Sequence, residues 1–307
     1  MKKIVFMGTP EFAIPCLKAL LNNYEVALVV SQPDRPSGRG RKVRPTPVKK
    51  YALKHNIEVF QPNNINSNTS LKKLEKLEAD FFIVVAYGQI VSKDILSLPN
   101  KGTINVHASL LPEYRGGAPI HRAILDGKKI TGVTTMLVEP SLDTGPILMQ
   151  EEVVIKKNYT TGELHDRLAD RGAKLLIKTL ENFYRITPKK QCNDKSSYAK
   201  LLDGNDRVIN WEDSALDIYN KVRGLNPWPL AFTKFNNKRL IVTKTKIVKA
   251  NKGTPGEVVR ILENGPVVKA GDNHGLILLE VKPQGKSTMT GDDFLRGYQL
   301  KKGDLLK

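Results

Sequence analysis

Asn105 and His107 stand two residues apart in the run Gly102-Thr103-Ile104-Asn105-Val106-His107-Ala108. An amide donor beside an imidazole suits acyl transfer. The amide can hydrogen-bond a carbonyl oxygen as it becomes an oxyanion, and the imidazole can carry a proton or act as a second donor. If Thr103–His107 is a strand, its period of two puts both side chains on one face. They then stand near its C-terminal end, where open α/β sheets bind their ligands. The same two residues would also serve as ordinary polar groups at a strand end, and spacing alone does not choose. Asp143, in Ser141-Leu142-Asp143-Thr144-Gly145-Pro146, likewise has two readings. Its carboxylate could orient His107, fix the ring tautomer and favour the charged ring. Equally, Asp-Thr-Gly-Pro is good turn chemistry.

The surrounding pattern supplies elements able to hold such a site. Apolar runs at Lys3–Met7, Glu25–Ser31, Ile57–Phe60, Asp80–Ala86, Thr103–His107, Gly132–Val138 and Ile147–Ile155 read as strands. Helical stretches at Glu11–Leu21, Pro47–His55, Asn66–Leu77 and Pro119–Asp126 fall between several of them. This alternation predicts an α/β domain with a Rossmann-like, doubly wound and mostly parallel sheet, the last two strands forming an antiparallel edge. Thr160 and Glu163 make a capping box ahead of a long amphipathic helix. From residue 207 to 307 short β-rich runs are punctuated by glycine, which predicts a small OB-like β-barrel with appended helices. The expected division is a catalytic domain over 1–186, a polar linker over 187–206 and the barrel over 207–307. Trp211 and Trp228 are expected in the core or interface of that second domain.

Charge narrows the partner. The chain carries 49 Lys+Arg against 31 Asp+Glu, a net +18, which favours a polyanion. Residues 207–307 alone hold 18 Lys+Arg and 10 Asp+Glu. The segment Arg35–Lys50 holds seven basic residues and no acid, with proline and glycine expected to keep it an irregular, mobile loop. Such a loop can reach RNA phosphates or bases and order on binding. Neither nucleotide-binding glycine spacing is present, and no His/Cys/Asp/Glu grouping has metal-ligand spacing, so no metal is expected. Cys16 and Cys192 stand alone, which fits a reducing cytoplasm. No apolar stretch is long enough to span a membrane.

One longer pattern is more specific than any of these. Asn105-x-His107-x-Ser109-Leu110-Leu111-Pro112-x-Tyr114-Arg115-Gly116, followed by Asp143-Thr144-Gly145, resembles the folate-dependent formyltransferase family. The likeness runs nearly end to end. It takes in Gly8-Thr9-Pro10-Glu11-Phe12, Gln32-Pro33-Asp34-Arg35-Pro36, Val85-Ala86-Tyr87-Gly88 and Asn226-Pro227-Trp228-Pro229. The resemblance implies a catalytic trio of Asn105, His107 and Asp143, with 10-formyltetrahydrofolate as formyl donor and co-substrate. It implies folate contacts along Tyr87, Gly88, Gln89, Ser109, Leu110, Leu111 and Pro112. The acceptor amine then attacks the formyl carbon, and Asn105 and His107 stabilise the oxygen. Ala108 departs from the family, where glycine is common; it leaves the trio untouched. Relatives with a similar basic loop act on an aminoacyl-tRNA, so the implied acceptor is the α-amine of methionine on initiator tRNA, met by a monomer. Its contacts would come from Arg35, Arg39, Arg41, Lys42 and Arg44, Arg39 foremost. A small acceptor, such as glycinamide ribonucleotide or an amino sugar, is the alternative, but it needs neither the basic loop nor a basic second domain.

Overall fold

The computed structural model describes residues 2–37 and 42–307. The first elements are β1 (Lys3–Gly8), α1 (Ile14–Asn23), β2 (Glu25–Val30), β3 (Arg35–Ser37) and β4 (Lys42–Arg44). Next come α2 (Pro47–Lys54), β5 (Val59–Phe60), α3 (Asn68–Glu75), β6 (Phe81–Val85), α4 (Lys93–Leu96) and β7 (Gly102–His107). Then follow α5 (Pro119–Leu125), β8 (Ile130–Leu137), β9 (Ile147–Val154) and α6 (Thr161–Glu181). The chain ends with α7 (Ala215–Gly224), β10 (Ala231–Phe235), β11 (Lys238–Lys249), β12 (Val258–Leu262), β13 (Gly265–Lys269), β14 (His274–Pro283), β15 (Met289–Thr290) and α8 (Gly291–Tyr298).

Seven strands form one sheet in the order β5-β2-β1-β6-β7-β8-β9. The pairings from β5 to β7 are parallel, and those of β8 and β9 antiparallel. A parallel strand covered on both faces needs a continuous apolar run, and β6 has one in Phe-Phe-Ile-Val-Val. Val5, Met7, Leu28, Val30 and Phe82 pack on one side against Ile65, Leu74 and Ile95. Each such side chain taken from water contributes about 1.5–3 kcal/mol. Helix starts are set locally. Thr46 Oγ1 accepts from Lys49 N at 3.2 Å just ahead of Pro47, and Ser67 Oγ from Ser70 N at 3.2 Å. The capping box at α6 forms, with Thr160 N donating to Glu163 Oε2 at 2.8 Å and Glu163 N to Thr160 Oγ1 at 3.3 Å.

The division of the chain is not the expected single cut. One compact unit takes Met1–Pro119, Ile130–Val154 and His165–Ala199; the other takes Ile120–Lys129, Ile155–Leu164 and Lys200–Lys307. Most of α5 joins the second unit because Leu125 packs into that unit's core and Arg122 grips Asp206 through two bonds of 2.8 Å. Residues 189–199, within the expected linker, are stitched into the first unit. Lys189 and Ile147 exchange backbone bonds of 2.8 Å, and Arg115 N donates to Ser197 O at 2.9 Å. Backbone pairing, not apolar burial, holds this segment, so its polar sequence resembles that of a linker.

In the second unit the strands run β10-β11-β14-β13-β12, with β15 on β14. No ladder joins the end strands β10 and β12. Instead the last residues lie against both: Lys307 exchanges backbone bonds with Lys234, and Val258 N donates to Asp304 O at 2.8 Å. That tail completes a barrel-like circuit around Trp211, Ile218, Leu278 and Phe294. Trp211 is buried as expected, whereas Trp228 is 66% exposed. Among the described residues no helix is long and apolar enough to cross a membrane.

Arg122 beside it holds the Asp206 carboxyl below its ordinary range. A depressed carboxyl contributes stability that is full above its unfolded pKa, about 3.9, and is lost as pH falls through the folded value. Arg122→Ala is therefore expected to lower stability at pH 7 by about 1–3 kcal/mol and to blunt this unit's acid sensitivity below about pH 4. Urea titrations at pH 7 and pH 3 check both; parallel loss at the two pH values would contradict it.

Candidate active site

β7 lies between β6 and β8, with Asn105 opposite Val84 on one side and Met136 on the other. His107 is the strand's last residue and is paired with Thr134. Both project from one face, as their spacing requires. Asn105 is half-buried, and among the described residues its amide has no hydrogen-bond partner. His107 is 7% exposed and held tightly. Its Nε2 lies 2.8 Å from the Tyr114 carbonyl oxygen, which only accepts, so Nε2 carries the hydrogen. Nδ1 is left to face Asp143.

Asp143 arrives from the turn between β8 and β9. Its Oδ2 stands 3.7 Å from His107 Nδ1 and accepts from Gly116 N at 2.8 Å. At 3.7 Å the pair is not a hydrogen bond, and it becomes an ion pair only when the ring is protonated. The tautomer of His107 is thus set by Tyr114 and not by Asp143. The turn reading and the site reading of Asp143 are compatible: its φ of 53° belongs to a tight turn, and that turn points the carboxylate at His107.

The loop after β7 is fixed by two polar side chains that sequence reasoning missed, the buried Thr134 and the exposed Gln150. Thr134 Oγ1 donates to Ser109 O at 2.7 Å and accepts from Leu111 N at 3.2 Å. Gln150 Nε2 donates to Leu111 O and to Thr134 Oγ1, both at 2.9 Å. Leu110 lies over Gly132, where an added Cβ would stand 2.4 Å from Leu110 Cδ2 and 2.2 Å from Glu151 O. Only glycine allows that approach. Much of the Ser109–Pro112 backbone is therefore engaged internally.

Tyr87–Gln89 follow β6 at the same end of the sheet. The Tyr87 ring is 1% exposed and belongs to the core, while Tyr87 O accepts from Thr9 Oγ1 at 2.7 Å. Gln89 anchors the 62–65 loop, its Oε1 accepting from Ile65 N at 2.8 Å. Gly88 is exposed with φ 92°, and beside it the buried Gln32 Nε2 has no hydrogen-bond partner among the described residues.

Of the basic loop, Arg39 and Arg41 lie outside the described residues. The flanking residues are regular, contrary to expectation: β3 and β4 pair antiparallel, Arg35 opposite Arg44 and Ser37 opposite Lys42. A ribbon this short asks only a few backbone bonds, and Pro36 is tolerated on its edge. Arg35 and Arg44 are exposed. Among the described residues no group of three or more His, Cys, Asp and Glu is arranged to hold a metal ion.

An amide, an imidazole and a carboxylate at the C-terminal edge of a doubly wound sheet are chemically able to serve acyl transfer. Comparison with known proteins agrees with that class. The sequence pattern described as "Formyl transferase" matches residues 1–180, and that described as "Formyl transferase, C-terminal domain" matches 201–299. This chain belongs to the formyl transferase family. It is 45% identical to the methionyl-tRNA formyltransferase of Clostridium acetobutylicum, over 100% of each chain. It is 44% identical to that of Bacillus subtilis, over 100% of this chain and 98% of the relative. A crystal structure of an N-formyltransferase from Helicobacter canadensis, complexed with folinic acid and dTDP-3-aminofucose, shares the fold. Its TM-score is 0.68 at 21% identity, covering 91% of this chain and 99% of that one.

Proposed function

We propose that this enzyme moves the formyl group of 10-formyltetrahydrofolate to the α-amine of methionine on initiator tRNA. The observation that carries the chemistry is the placement of Asn105, whose amide has no hydrogen-bond partner among the described residues, and His107 on one strand face, with Asp143 reaching His107 from a neighbouring turn. The acceptor is supported by full-length similarity to relatives that bear the name methionyl-tRNA formyltransferase. A small acceptor, of the kind suggested by the dTDP-3-aminofucose bound in the Helicobacter structure, rests on likeness at 21% identity only.

The folate supplies the formyl carbon; the chain supplies position, donors and a path for the proton. Asn105 Nδ2 donates to the formyl oxygen as charge builds on it. His107, with Nε2 committed to Tyr114, works through Nδ1. The acceptor nitrogen adds to the formyl carbon. Nδ1 and Asp143 Oδ2 face each other at 3.7 Å, so the proton that nitrogen loses meets two adjacent receivers. Passage of a proton to the folate nitrogen lets the bond from that nitrogen to the formyl carbon break and releases tetrahydrofolate. The exposed backbone of Gly88, beside the Gln32 amide nitrogen that is unpartnered among the described residues, suits the edge of a flat, hydrogen-bonding heterocycle. The enzyme acts as a monomer in the cytoplasm, a setting in keeping with its unpaired thiols; burial pushes that of Cys16 up to about 12.

Formyl transfer from 10-formyltetrahydrofolate should be efficient with methionyl initiator tRNA and at least about tenfold poorer with elongator methionyl-tRNA, by the logic of differential transition-state binding. Preference for glycinamide ribonucleotide or an amino sugar would refute the acceptor assignment.

A further inference from the structure

Asp143 belongs to a turn whose preceding residues, 139–142, are exposed. A carboxylate carried there needs external ties to hold one position. Its Oδ2 takes the Gly116 N–H at 2.8 Å, and its own carbonyl accepts from Gln191 Nε2 at 2.9 Å. The same Nε2 donates to Gly145 O at 2.8 Å. Gln191 Oε1 in turn accepts from Arg115 Nε at 3.1 Å and Nη2 at 2.8 Å. Arg115 precedes Gly116, so the contacts close into a ring through both ends of Asp143.

Gln191 is only 6% exposed, and all four of its side-chain hydrogen-bonding positions are used. A buried amide in that condition admits one geometry, because any shift leaves a donor or acceptor unmet. Its own segment is held on both sides, by the Lys189–Ile147 pair and by the bonds from Arg115 to Ser197 and Ala199. The amide is therefore a fixed point to which a turn carrying the carboxylate is tied.

We propose that Gln191, gripped by Arg115, is a positioning residue that sets the Asp143 carboxylate against His107 Nδ1. The inference rests on the reading of Asp143 as part of the reacting site. Gln191 touches Asp143 only through its backbone, so it acts through the carboxylate and not on substrate.

The test is a double-mutant cycle on kcat with the full-length enzyme, methionyl initiator tRNA and 10-formyltetrahydrofolate. Gln191→Glu keeps an acceptor for Arg115 and loses both donations to the turn; Gln191→Met keeps volume without either function. Each should lower kcat about tenfold with both KM values within about threefold, and should add less than about twofold to the loss caused by Asp143→Asn, because residues acting through one group are not additive. The two replacements differ in charge and packing, so a folding defect in one, read from its thermal melt, leaves the other as the test. A normal kcat in the folded variants, or a full further tenfold loss in the Asp143→Asn background, overturns the proposal. If Asp143→Asn alone keeps a normal rate, the reading of Asp143 itself fails, which is a separate result.

Discussion

Asn105→Ala is expected to lower kcat by about 10²–10³, the usual consequence of removing one preorganised oxyanion donor. The amide has no internal partner among the described residues, so its loss orphans nothing and the melting temperature should hardly move. KM for both substrates should change little, because the interaction strengthens only as charge reaches the formyl oxygen. His107→Ala should cost at least as much in rate and something in stability as well. His107 is 7% exposed, and its removal leaves the Tyr114 carbonyl without its donor, a penalty of about 1–3 kcal/mol. This contrast is useful: one variant isolates chemistry, the other mixes it with folding. Single-turnover formylation with purified, folded variants measures both. A rate within a few-fold of the parent for Asn105→Ala would remove it from the reacting site.

The placement of Asn105 and His107 on one face of a strand was legible because both its signals are local. A strand's period of two fixes the shared face of Asn105 and His107, and the C-terminal end of a parallel strand fixes where that face leads. The sheet was legible for a related reason: β6 is buried on both sides and its sequence is apolar throughout. What decides the finer geometry is not local. Tyr114 sets the His107 tautomer through a carbonyl, a group every residue has, so no residue type announces it. Gln191 and Thr134 are buried polar side chains, and a buried glutamine or threonine has the same letter as an exposed one. The segment around Gln191 looked like a linker because it is held by backbone pairing and by one amide. Likewise Leu125 and Arg122 pass to the second unit through contacts made 78 or more residues away, which no window along the chain can register.

The acceptor is where charge outside the reacting site has its largest expected effect. The hairpin at the base of the basic loop sets Arg35 directly opposite Arg44. Like charges in that relation destabilise a two-stranded ribbon that is marginal on its own. A phosphate lying across the pair would turn the repulsion into a contact, so the hairpin is expected to be more stable with a polyanion bound than without. We expect Arg39→Ala, Arg41→Ala and Lys42→Ala, combined, to weaken methionyl-tRNA binding and to flatten its salt dependence. Three lost phosphate contacts correspond to a change of about 2 to 3 in the slope of log K against log salt. Because the substitutions lie outside the proposed reacting trio, the effect should fall on KM for tRNA, with kcat at saturating tRNA altered far less. Adding Arg35→Ala and Arg44→Ala should flatten the slope further while relieving the cross-strand repulsion. Filter-binding or fluorescence titrations between low and physiological salt read the slope directly. An unchanged slope in the triple variant would mean that the loop meets no phosphate, and the positive charge engaging the tRNA would then have to be sought elsewhere on the chain.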